Sequence, residues 1–122
     1  MDQPPFFFRD NGILYRININ EIQLIETSGN YIRLYSHNKT FVVRVSLEAA
    51  LKKLPKNLFV QIHRSIVASV KFITAISKET LTIDAAPDKE FPISKTYYAG
   101  LMEKIRIIEA GSGENEEDKK NE

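Results

Sequence analysis

Three short polar groups carry the chemistry this chain can offer. His63-Arg64-Ser65 interrupts two strongly apolar runs within residues 58–76, LFVQIHRSIVASVKFITAI. Burial of the flanking apolar residues fixes their backbone, so the polar break is held rigidly at the surface. An arginine presented in that way offers five donors in a flat fork, suited to a phosphate or to the O6/N7 edge of guanine. Asn30-Tyr31 opens a strand after a turn, Ser94-Lys95-Thr96 opens a helix, and Arg44 and Lys71 add positive charge. Loop-borne Asn, Arg and Lys read base edges and grip phosphates. A helix start adds free N–H groups, a natural phosphate seat. Each group taken alone also fits a solvated turn, and the sequence does not bring the three to one face.

Other chemistries have less to build on. Ser65 stands near His63, but neighbours on a strand are expected to point apart, and no carboxylate is placed to orient a base. The five glycines are scattered and form neither GxGxxG nor GxxxxGK[ST]. Glu21 and Glu26 read as solvated charges at a strand edge. The absence of Cys excludes thiolate zinc sites and disulfides and suits a reducing compartment. Two His without a carboxylate cluster argue against a catalytic metal. The expectation is a protein without cofactor or metal that is not an enzyme.

At 122 residues the chain fits one domain with a core of its own. The net charge of +1 hides a split. Residues 1–108 carry 15 Lys/Arg against 10 Asp/Glu, whereas residues 109–122 carry 2 against 6. That acidic tail, EAGSGENEEDKKNE, is apolar only at Ala110 and is expected to be disordered. The folded part is therefore moderately basic, compatible with a polyanionic partner. No apolar run approaches a membrane span, and MDQPP is not a signal-peptide start, so no membrane association and a cytoplasmic location are expected.

The elements that must position these groups are mostly strands. Phe6–Phe8, Ile13–Ile17 and Ile22–Glu26 read as short strands, the first pair joined by Asp10-Asn11-Gly12, a strong hairpin signal. After the turn Thr27-Ser28-Gly29-Asn30, Tyr31–Tyr35 and Phe41–Val45 alternate as a second hairpin. Ser46 caps a helix with Leu47, Leu51 and Leu54 on one face, which Pro55 ends. Phe59–Ile62 and Ile66–Ile76 are strand-like or mixed, Leu81–Ile83 is a strand, Ala85–Lys89 a loop, and Phe91–Ile93 extended. Ser94 caps a last helix whose stripe runs through Tyr97, Tyr98, Leu101, Met102, Ile105 and Ile108, read as core.

The order of these motifs resembles the LytTR family of bacterial DNA-binding domains, the LytR/AlgR type of response-regulator output module. The matching residues are Ile22-x-x-Ile25-Glu26, Gly29-Asn30-Tyr31, Arg44-Val45-Ser46-Leu47, Phe59-x-x-x-His63-Arg64-Ser65, Ile73-x-x-Ile76 and Phe91-Pro92-Ile93-Ser94-Lys95-x-Tyr97. They cover roughly residues 6–108. The resemblance implies a mainly β fold, elongated, of small antiparallel sheets with one or two short α-helices. It also implies sequence-specific binding of double-stranded DNA in a two-component transcriptional regulator. Loop side chains, not a recognition helix, enter successive major grooves of bent DNA. Position by position, Asn30, Tyr31, Arg64 and Lys95 become base contacts, and His63, Ser65, Lys71, Ser94 and Arg44 phosphate contacts or supports. Ser69 stands where the family commonly has Asn, and Lys95 where it often has Arg, which makes that contact more phosphate-like.

The family usually follows a receiver domain, and with the match beginning at about residue 6 the expectation is a regulator without its own receiver domain or, alternatively, a piece of a longer protein. Two copies on repeated half-sites, as a homodimer on DNA in one arrangement, are expected because one module gives modest affinity. Two rivals remain. A protein-interaction module would use an exposed edge in the Tyr31–Val45 hairpin. A sequence-indifferent binder would stack bases on Tyr31, Tyr35 and Tyr98.

Overall fold

A computed structural model describes residues 4–109 of the chain. The first reversal falls at Asn11-Gly12, with φ of 50° and 80°, the left-handed pair that a type I′ turn needs. It joins β1 (Phe6–Asp10) to β2 (Ile13–Ile17) in a hairpin that forms a two-stranded sheet of its own. The second is the two-residue turn Gly29-Asn30 between β3 (Leu24–Ser28) and β4 (Tyr31–Tyr35). Gly29 has φ 64°, the positive value that a type II′ hairpin asks of its first central residue.

β5 (Thr40–Val43) follows, then α1 (Leu47–Leu51), whose Ser46 Oγ accepts the Ala49 N–H at 3.0 Å. β6 (Phe59–His63) and β7 (Ile66–Ser69) complete a five-stranded antiparallel sheet in the order β5-β4-β3-β7-β6. β8 (Ile73–Ile76), β9 (Thr80–Ile83) and β10 (Ala86–Pro92) form a second sheet, and α2 (Lys95–Met102) closes the fold. The architecture is thus mainly β with two short helices among the described residues.

Period-two alternation splits the core in two. Ile25, Ile32, Leu34 and Val67 pack with Ile17, Leu47 and Leu54, towards the first hairpin and α1. Leu24, Ile62, Ile66 and Ala68 pack with Leu81, Ile83, Phe91 and Leu101, towards the second sheet and α2. Both faces of the five-stranded sheet are covered, which explains why its central strands read as continuous apolar runs. Buried Gln23 stitches the sheets together, its Oε1 accepting the Ala85 N–H at 2.8 Å.

Several elements depart from the sequence reading. Ala85–Lys89 is not a loop, because Ala86 pairs with Ile83 and begins β10, with a register slip before Phe91. Pairing there overrides the poor strand propensity of Pro, Asp and Lys. β5 ends at Val43, and the chain bends at Arg44-Val45 towards the cap of α1. α2 stops at Met102, so Ile105 and Ile108 lie past it, and Ile108 is fully exposed. Leu101, where the helix meets the second core, is its one buried residue; Met102 still packs against that core, and the stripe has left it by Ile108. Apart from Glu109, the expected acidic tail lies outside the described residues.

Glu26 is not at a sheet edge but on the central strand, where its Oε1 accepts the Tyr35 hydroxyl at 3.1 Å. Burial pushes the Tyr35 phenol above its ordinary value, and the Glu26 charge and hydrogen bond add to the rise, while Arg33 opposes it. The phenol is therefore favoured in its neutral form. Its stabilising contribution is full below the ordinary tyrosine value and lost as pH rises through the raised one. In a near-ultraviolet absorbance titration, one of the five tyrosines should ionise above the others, and Tyr35→Phe should remove that step. Uniform ionisation of all five would mean the contact does not persist in solution.

Candidate nucleic-acid interface

One end of the five-stranded sheet gathers nearly all the polar groups singled out above. β3 leaves it through Ser28 into the Gly29-Asn30 turn, and β4 returns at Tyr31. β5 arrives at the same end with Val43 opposite Ile32, placing Arg44 beside Tyr31. The Arg44 guanidinium lies over the Tyr31 ring, 5.7 Å from its centre. A groove of about 390 Å³ runs here between Asn30, Tyr31, Arg44 and Ser46.

The β6–β7 turn reaches the same end one strand away. Glu26 pairs with Ile66, and the Thr27 N–H donates to the Ser65 carbonyl at 3.0 Å. Arg64 is exposed at the apex of this turn. His63 and Ser65 form a clasp beneath it, contrary to the expectation that they point apart. The turn curls so that His63 Nδ1 lies 3.0 Å from Ser65 Oγ and accepts the Ser65 N–H at 3.2 Å. With Nδ1 accepting, the ring proton belongs on Nε2, available as a donor. No carboxylate bonds the ring among the described residues, so the arrangement lacks the third member of a hydrolytic triad.

α2 starts at the same place. Its leading N–H, on Ser94, donates to the Ile62 carbonyl at 2.9 Å, which sets exposed Lys95 beside the end of β6. Ser94 has the backbone of an N-cap, yet its side chain caps nothing, and its Oγ is buried without a hydrogen-bonding partner in the protein. Its N–H is spent on Ile62 and its carbonyl accepts the Tyr97 and Tyr98 N–H groups at 3.1 Å, so Ser94 anchors the helix start and offers no free donor.

Asn30, Tyr31, Arg44, His63, Arg64, Ser65, Ser94 and Lys95 are therefore brought together. Lys71 is not. It follows β7 at the opposite end, next to Val70, whose N–H donates to the Leu58 carbonyl at 2.9 Å, and its ammonium sits over the Phe72 ring. A hollow of about 550 Å³ between Pro4, Arg16, Asn18 and Pro55 is also away from this row. Of the three tyrosines considered for base stacking, Tyr31 is exposed, whereas Tyr35 and Tyr98 are half-buried against the second core. Sequence reading passed over Gln61. Its Nε2 donates to the carbonyls of His63 and Arg64, a role that no motif announces. Among the described residues, no helix is long and apolar enough to cross a membrane, and no cluster of three or more His, Asp or Glu is arranged to hold a metal.

Comparison with known proteins accords with this geometry. A solved LytTr DNA-binding domain from Bacillus cereus shares the fold, with a TM-score of 0.67 at 20% identity over 84% of this chain and 96% of that one. The sensory transduction protein LytT of Bacillus cereus is 28% identical over 94 residues, 75% of this chain and 38% of the relative. The heme-containing CO-sensing transcriptional regulator RcoM 1 of Paraburkholderia xenovorans is 20% identical over 105 residues, 83% of this chain and 39% of that protein. The chain thus spans under two fifths of the length of these two relatives. The family described as the LytTr DNA-binding domain matches residues 12–106, and this chain belongs to it.

Proposed function

We propose that this domain binds double-stranded DNA sequence-specifically through its loops and serves a transcriptional regulator. The observation that carries the reading is the row of side chains along one sheet end, Arg44, Tyr31, Asn30, Arg64 and Lys95, in a chain of a DNA-binding family. Arg64 and Asn30 or Tyr31 take base edges, and Lys95, a point charge without a planar fork, acts mainly on the adjoining phosphate. His63 through Nε2, Ser65 and Arg44 take phosphates, and Ser94 supports them by anchoring the start of α2 to β6.

Strand spacing sets the scale of the contact. Four spacings of about 4.8 Å separate β5 from β6 by roughly 19 Å, and long side chains at either end extend that reach. The helical repeat of DNA is about 34 Å, so a row this long meets two successive major grooves only if the duplex bends towards it. Bending is thus part of recognition, and flexible steps between the contacted bases contribute to sequence preference. Each copy makes few base contacts, which favours two copies on repeated half-sites.

Selection from a random-site duplex library at one fixed salt concentration tests this. A short, repeated motif should be enriched, and its binding should weaken with salt as phosphate contacts release counterions. No enrichment, with binding indifferent to salt, would instead favour a protein partner on the free edge of β5.

A further inference from the structure

The turn that presents Arg64 rests on a side chain with no place in the proposed interface. Gln61, half-buried on β6, donates from Nε2 to the His63 carbonyl at 3.2 Å and to the Arg64 carbonyl at 3.4 Å. These two carbonyls belong to the peptide groups on either side of the Arg64 Cα. One amide therefore ties down both planes that aim the arginine, leaving only its own side-chain torsions to settle on binding. β6 also slips register against β7 between Gln61 and His63, a bulge of the kind that redirects side chains. Within that bulge the Ile62 carbonyl holds the Ser94 N–H that starts α2, so the same distortion sets the approach of Lys95.

We propose that Gln61 is a positioning residue for base recognition, holding the Arg64 turn in its reading geometry without touching DNA. The inference rests on the DNA-reading function proposed above. Without Gln61, the turn keeps the His63–Ser65 clasp but loses the brace on the carbonyls flanking Arg64. The turn backbone beneath the guanidinium then also has to be ordered on binding, a cost that falls on bidentate base contact far more than on diffuse attraction to phosphates.

The experiment measures binding of two duplexes at one salt concentration, the motif enriched by the selection and the same motif scrambled. Gln61→Met keeps the length of the side chain without its donors, and Gln61→Leu removes the donors from a branched side chain, neither changing the charge. Either should weaken binding to the enriched duplex by about tenfold, the lower range of one lost base contact, and leave the scrambled duplex within about twofold. In an Arg64→Ala background the same substitutions should cost no further affinity, because the residue they aim is gone. Equal losses on both duplexes, an undiminished loss in the Arg64→Ala background, or no loss at all would overturn the proposal. Failure of the parent protein to distinguish the duplexes would overturn the DNA-reading function and this inference with it. Discrimination by the parent, kept by both Gln61 variants, would overturn the inference alone.

Discussion

Arg64→Ala is expected to weaken binding to the selected duplex by about 1–3 kcal/mol, five- to 150-fold, with little change on a scrambled duplex. The residue is exposed at the tip of a turn pinned on three sides. The Ser65 carbonyl is bonded to Thr27, His63 to Ser65, and the flanking carbonyls to Gln61. With the backbone so held, binding has only the arginine's own side-chain torsions left to order, so more of its contact is realised as affinity and selectivity. Its removal leaves the core untouched, so unfolding by denaturant should be unchanged. Lys95→Ala provides the contrast. An ammonium is a point charge without the planar fork, and its loss should weaken enriched and scrambled duplexes alike and reduce the salt slope by about 1. Titrations at several salt concentrations separate the two patterns. Equal effects of Arg64→Ala on both duplexes would mean that the residue grips phosphate and reads no base.

The parts of this picture legible in the sequence are those set by local rules. Asn11-Gly12 and Gly29-Asn30 fixed two hairpins because few other residues accept a positive φ. Ser46 announced α1 because its hydroxyl had a helix N–H to cap. The triplet His63-Arg64-Ser65 stood out because apolar runs flank it. What could not be read locally was pairing between distant segments. The strand character of Ala86–Pro92 comes from β9, and the early end of α2 from the point where its stripe runs out of core. The position of Lys71 followed the same logic: it resembles the other cations in type, but β7 carries it to the far end of the sheet. Gln61 was illegible for a further reason. A glutamine on a strand edge is ordinarily solvated, and only the bulge beside it turns its amide onto the turn.

The other large effect is expected from Leu101→Ala, which should cost about 2–5 kcal/mol of stability. Leu101 is fully buried against the cluster of Leu24, Ile62, Ile66, Leu81, Ile83 and Phe91, and is the one buried residue of α2. A helix of eight residues does not persist by its own propensity, so its order is owed to this docking. A loss of that size is a large share of the roughly 5–15 kcal/mol that holds a small domain together. Denaturant unfolding should show a lower midpoint with an unchanged slope, the sign of lost stability without a change in exposed surface. The consequence for function separates anchoring from contact. Where the variant is still folded, α2 is expected to fray from its free end towards Ser94, loosening Lys95 while the β6–β7 turn stays braced by Gln61 and Thr27. Binding should then weaken on all duplexes, as for Lys95→Ala, with the preference owed to Arg64 retained. A stability change under about 1 kcal/mol would mean that α2 is held by something other than Leu101. Loss of sequence preference in the folded variant would mean that the helix, and not the turn, aims Arg64.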